Sequence, residues 1–137
     1  MKKFLMMVVV AVMAAFSYFA EAANYTESQL KGSINELSSQ LPMRIDDSLV
    51  WTNANYDGSY VNFTFKFDEN IITADQLDMM KAPMKAAILD ALFSDPDSCN
   101  MLEILTTLNK GLNITFVGSR SGKKVPIKVT PSELKKL

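Results

Sequence analysis

The sequence predicts an α+β domain with helices packed on one face of a four-stranded antiparallel sheet, in the order helix, hairpin, helices, hairpin. Three observations carry this prediction. Apolar residues recur at helical spacing in some stretches and at a two-residue spacing in others. Threonine-headed capping boxes stand ahead of helical stretches, and glycine turns separate the alternating runs.

The first helix starts at a T-x-x-Q box formed by Thr26 and Gln29, with Tyr25 placed to staple onto Leu30. Leu30, Ile34, Leu37 and Leu41 make its apolar stripe, and Pro42 ends it because the residue before a proline is pushed out of the helical region. Between Ser48 and Phe67 the period shortens. Val61, Phe63, Phe65 and Phe67 alternate with Tyr60, Asn62, Thr64 and Lys66, the pattern of a half-buried strand. The run Leu49 to Tyr56, with Trp51, alternates less cleanly, and Asp57-Gly58-Ser59 joins the two as an antiparallel hairpin.

Ile72, Thr73, Gln76 and Leu77 repeat the staple and box of the first helix. Leu77, Met80, Met84, Ile88 and Leu92 continue as a stripe that Pro83 interrupts, so a kink or two successive helices are expected there. Asp95-Pro96 restarts a third helix, with Met101, Leu102, Leu105 and Leu108 on its face and Gly111 as its stop. A second hairpin pairs Leu112 to Gly118 with Lys124 to Val129 around Ser121-Gly122. Pro126 assigns the last strand to a sheet edge, which Lys124 and Lys128 protect from further pairing. Thr130-Pro131-Ser132-Glu133 has the form of one more capped turn.

Ahead of this domain the chain carries an address. Met1, Lys2 and Lys3, an apolar run from Phe4 through Phe16, and Ala20-Glu21-Ala22 before Ala23 make the three regions of a bacterial signal peptide. The apolar run is shorter than the ~20 residues of a transmembrane span. Residues 1–22 are therefore expected to be a cleaved leader and residues 23–137 a single α+β domain. The expected location is the periplasm or the medium, with no stable membrane insertion after cleavage.

The 137-residue chain has a formal charge of −1, no histidine and one cysteine. Near-neutral charge argues against a nucleic-acid binder. A lone cysteine excludes an internal disulfide, and the absence of histidine removes the commonest metal ligand and general base. Cys99 sits near the start of a helix, but the acids Asp95 and Asp97 beside it would disfavour a thiolate, so a core thiol is the better reading than a nucleophile, with pairing between molecules as the alternative. The run Asp95 to Asn100 lacks the glycine and the closing glutamate of a calcium loop. Asp46 and Asp47, adjacent on an extended chain, point to opposite faces rather than pairing for catalysis. Asn24, Asn62 and Asn113 head glycosylation sequons that a bacterial leader makes irrelevant.

The stretch Leu37 to Asp46, L-S-S-Q-L-P-M-R-I-D, followed by Tyr60 to Phe65, resembles a group of small exported bacterial proteins of unknown function. These share a helix ending in a Q-L-P-M-x-V/I-D-like segment, then a hairpin, a cysteine-bearing helix and a final hairpin. Their cysteine precedes the acidic loop, whereas Cys99 follows Asp95-Pro96. The resemblance implies the layout and brings no activity, cofactor or catalytic residue.

Acids dominate from Glu27 to Glu103, while Arg120, Lys123, Lys124, Lys128, Lys135 and Lys136 crowd the end. This is either a solvated basic hairpin or an anion- or membrane-surface contact. Arg120, Lys123, Lys124 and Lys128 are the candidate partner-binding residues, and the open sheet edge is a second candidate surface. The expected role is a non-catalytic binding or envelope-interaction protein, with another envelope or secreted protein as partner and no cofactor. The alternative is an enzyme of unrecognised type that works without histidine or metal.

Overall fold

A computed structural model describes residues 26–94 and 96–136 of the chain. The expected leader, Tyr25 and the Asp95 cap lie outside the described residues, as do the side chains of Cys99 and Met101.

Helix α1 (Glu27–Ser38) begins where the capping box places it: the Gln29 N–H donates to Thr26 Oγ1 at 3.2 Å, and the Thr26 N–H donates to Gln29 Oε1 at 2.8 Å. Leu30, Ile34 and Leu37 are buried, and Leu41 packs against the core from the segment beyond. Three strands follow, β1 (Met43–Asp46), β2 (Leu49–Tyr56) and β3 (Tyr60–Phe67). The turn between β2 and β3 forms as its residues dictate. Asp57 Oδ1 accepts from the N–H groups of Ser59 and Tyr60, both at 2.8 Å, and Gly58 takes φ 97°, which a side chain would resist. The poorer alternation of β2 has a structural cause, a register irregularity between Trp51 and Asn53.

Pro83 separates two helices rather than kinking one: α2 (Ala74–Met79) and α3 (Lys81–Ser94). It occupies the first turn of α3, where a missing N–H leaves no bond unmade. Helix α4 (Pro96–Leu108) stops at Asn109 and not at Gly111. Asn109 adopts φ 58°, its N–H reaches Thr106 O at 3.3 Å, and the Lys110 N–H reaches Leu105 O at 2.8 Å, which is a Schellman closure built on asparagine. Gly111 serves a different need: a Cβ there would lie 2.2 Å from the Tyr60 ring and 2.7 Å from Val129 O. The chain ends with β4 (Gly111–Gly118), β5 (Lys124–Val129) and α5 (Pro131–Lys135), the last capped by Thr130 and Glu133 as expected.

The sheet differs from the expected four antiparallel strands. It has five, in the order β1-β2-β3-β4-β5, and the central pair β3 and β4 is parallel. Tight hairpins force antiparallel neighbours, but the β3–β4 connection runs through α2, α3 and α4 and brings the chain back to the end at which it started. The fifth strand is β1, which pairs antiparallel with β2. Its four residues are too short to announce a period.

The helices share one buried cluster with one face of the sheet. Val61, Phe63, Phe65 and Phe67 of β3 are fully buried. Trp51 stacks on Phe65 at 5.5 Å and meets Phe63 edge-on at 5.2 Å, and Phe65 stacks on Phe116 at 5.7 Å. Each such side chain contributes about 1.5–3 kcal/mol by leaving water. Among the described residues, no helical layer covers the opposite face of the sheet.

Candidate partner-binding surface

Residues directly opposite in a ladder lie on the same face of a sheet. The register therefore draws the uncovered face as rows running across the strands. One row is Arg44, Val50, Lys66, Val117 and Lys124, one residue from each of the five strands. A second holds Thr64, Thr115 and Pro126, and a third Asn55, Asn62, Asn113 and Lys128.

The third row is hydrogen-bonded side chain to side chain. Asn113 Nδ2 donates to Asn62 Oδ1 at 3.2 Å, and Asn62 Nδ2 donates to Asn55 Oδ1 at 2.9 Å and to Asp57 Oδ2 at 3.2 Å. The two central sequon asparagines are thus tied to each other. Asn113 Oδ1 is buried and accepts no hydrogen bond. Lys128 Nζ lies 4.6 Å from the centre of the Tyr60 ring.

The four candidate residues do not form one cluster. Lys124 and Lys128 stand on the uncovered face and are exposed, while Arg120 and Lys123 belong to the β4–β5 turn. That turn is held by an acid: Glu69 Oε1 accepts from the N–H groups of Arg120 and Ser121 and from the Ser121 hydroxyl at 2.9–3.1 Å. These bonds, led by that from the Ser121 N–H, hold the Glu69 carboxyl below its ordinary value of 4.5. Lys123 Nζ pairs with Asp75 Oδ1 at 3.2 Å, which ties the turn to α2. The Arg120 side chain lines a groove of about 460 Å³ at the end of the sheet with Lys66, Asp47 and Asp68.

Two cations of the face escaped the sequence reading, Arg44 and Lys66. The alternation of β3 already turns Lys66 away from the core, but only the cross-strand register shows it in line with Lys124. Arg44 depends on β1, and it pairs with Asp47 at 2.8 Å with both side chains exposed. Among the described residues, none of the ion pairs involves Lys66, Lys124 or Lys128. The sheet edges are poor templates for a partner strand, since β5 carries Pro126 between two lysines and β1 is four residues long.

At the other end of the sheet, Glu27, Tyr56 and Lys110 gather where α1, β2 and the α4–β4 link meet. Tyr56 Oη donates to Glu27 Oε1 at 2.5 Å, and Lys110 Nζ donates to Gly58 O at 2.6 Å and stands 3.5 Å from Glu27. The Tyr56 bond and then the Lys110 charge lower the Glu27 pKa. Burial and the bond to Glu27 raise that of Tyr56, and the Tyr56 hydroxyl raises that of Lys110. Each group is fixed in the ionisation state it already has near neutrality, the reverse of what a nucleophile or general base requires. The cluster is a structural clamp.

Among the described residues no group of three or more His, Cys, Asp or Glu side chains could hold a metal ion, and no helix is long and apolar enough to cross a membrane. Asp47 is engaged by Arg44, and the side chain of Asp46 lies outside the described residues.

No protein-family model matches the chain, and no curated protein matches it. Solved structures do. A Pseudomonas aeruginosa protein assigned as secreted superposes with a TM-score of 0.62 at 11% identity, over 78% of this chain and 90% of that one. The pilotin EpsS of the Vibrio vulnificus type II secretion system gives 0.57 at 16% identity, over 79% and 90%. The pilotin AspS of the Vibrio cholerae type II secretion system gives 0.52 at 16% identity, over 78% and 90%. At these identities the likeness is one of fold: this chain shares its overall α+β architecture with a protein assigned as secreted and with two secretion-system pilotins.

Proposed function

We propose that the chain is an exported, non-catalytic binding protein of the periplasm or the medium, which holds an acidic partner on the uncovered face of its sheet. The observation that carries the reading is the placement of Lys66, Lys124 and Lys128 on that face, exposed and outside every ion pair of the described residues. Exposed lysines gathered on an otherwise uncovered face attract groups of the opposite sign. The pilotins and the secreted protein of the same fold support an address in or beyond the envelope. Residues 1–22 supply that address as a cleaved leader, and the clamped state of Glu27, Tyr56 and Lys110 supports binding rather than chemistry.

Crosslinking in living cells tests the reading. Wild-type protein captures an envelope component, and a variant with Lys66, Lys124 and Lys128 changed to glutamate loses that capture while keeping its fold. Undiminished capture by the variant would remove the sheet face as the contact. Intact-mass measurement of the same protein checks the leader, with the new N-terminus expected at or within a few residues of Ala23.

A further inference from the structure

Resting on that reading, we infer the chemical class of the partner: a linear anionic glycan bearing a carboxylate on every second sugar, laid across the strands along the row Arg44–Val50–Lys66–Val117–Lys124.

The spacing of the charges carries this. The row places a cation on β1, β3 and β5 and a valine on each strand between. Neighbouring strands lie about 4.8 Å apart, so successive cations are anchored about 10 Å apart. That distance matches the disaccharide repeat of an extended linear glycan. An extended acidic peptide offers its same-side carboxylates every ~7 Å and falls out of step after one contact. A helix regains its face after seven residues, about 10 Å, but it is a straight rod. The sheet rotates by about 20° per strand, so the row turns as it crosses five strands. A glycan with rotatable bonds at every linkage follows such a path.

The chemistry beside the charges agrees. The adjacent row offers the hydroxyls of Thr64 and Thr115, groups that exchange hydrogen bonds with sugar hydroxyls. Protein–protein interfaces are anchored by large aromatic or arginine side chains near their centre. Here the centre is threonine and asparagine, and the ring of Tyr60 lies at the start of β3 beneath Lys128. The Arg44–Asp47 pair does not obstruct binding, because both side chains are exposed and such a pair is worth little.

Titration calorimetry of the mature chain tests the inference with three probes of similar length: an oligosaccharide of alternating glucuronate and N-acetylglucosamine, a neutral N-acetylglucosamine oligosaccharide, and poly-glutamate. The expected result is salt-sensitive binding of the first alone. It weakens roughly tenfold or more in Lys66→Glu and in Lys124→Glu, and stays unchanged in Lys136→Glu, a control at the C-cap of α5. Absence of binding to the alternating probe, or binding unmoved by Lys66→Glu, would overturn the inference. Equal or tighter binding of poly-glutamate, lost in the same variants, would also overturn it in favour of an acidic polypeptide while leaving the sheet face as the contact. Failure of the wider reading is distinguished by the cellular experiment, where capture would survive the triple substitution.

Discussion

Asn113 on β4 donates its side-chain amide to Asn62 on the neighbouring parallel strand β3 at 3.2 Å, and each stands at the same point of an N-x-T-F sequence. The two strands are aligned like with like, Thr64 opposite Thr115 and Phe65 opposite Phe116. The asparagine row is therefore a built feature of the uncovered face.

The two asparagines are not energetically equivalent. Asn62→Ala removes the donor that serves Asn55 and Asp57 and the acceptor that serves Asn113, and should cost about 1 kcal/mol or somewhat more. Asn113→Val gives up one bond but also eliminates a buried oxygen without a partner, and should cost less. Urea denaturation ranks them. A larger loss in Asn113→Val would contradict the assignment of that oxygen as unsatisfied.

Gly111→Ala is expected to destabilise by about 1–3 kcal/mol, because the new methyl meets the Tyr60 ring and a backbone carbonyl at Val129 that cannot rotate aside. The same change at the exposed Gly32, where a Cβ meets nothing within 4 Å, should raise stability slightly, since it sits inside α1. Thermal melts of the two variants should move in opposite directions.

Glu69 links the β4–β5 turn to pH. Its folded pKa lies below the ordinary 4.5, so its contribution is present above that value and is lost as pH falls through the folded pKa. Glu27, Asp57 and Glu133 are lowered as well, by Tyr56, the Ser59 N–H and Lys85 respectively, and act in the same direction. The wild type should lose stability below about pH 4.5. Glu69→Gln should be less stable at pH 7 and show a shallower acid loss, read from unfolding curves between pH 7 and 3.

Pro83→Ala is expected to leave stability unchanged or lower it by up to about 1 kcal/mol. The proline stands in the first turn of α3, so alanine restores no helical bond there and only loosens the unfolded chain. A clear gain on replacement would instead mean that Pro83 strains the Met80 to Met84 turn, which closes at 2.9 Å.

What the sequence disclosed is what local chemistry decides. Thr26, Thr73 and Thr130 each cap a helix with a partner three residues on, and Gly58 and Gly122 each mark a turn by their positive φ, because every one of these choices is settled within a few residues. The errors lie where distant segments decide. No local signal tells β3 that its neighbour is β4, or that the two run parallel. Asn109 lost the helix stop to Gly111 because glycine is the stronger local marker, whereas Gly111 answers to Tyr60 across the ladder. The candidate surface suffered likewise. Arg120, Lys123, Lys124 and Lys128 are close in sequence, yet the register sends two of them to the open face and adds Lys66 and Arg44 from strands far along the chain.

The parallel junction at the middle of the sheet also sets the order in which the molecule becomes safe from its neighbours. Until β4 arrives, Tyr60–Phe67 is the outermost strand of a three-stranded half, and Phe63, Phe65 and Phe67 lack their lateral cover. Synthesis from the N-terminus produces β3 before β4, so the unprotected strand exists before its guard. Chains interrupted between Phe67 and Gly118 therefore carry a sticky margin that the finished molecule covers, and the lysines and proline of β5 become its permanent border only once the last hairpin has closed.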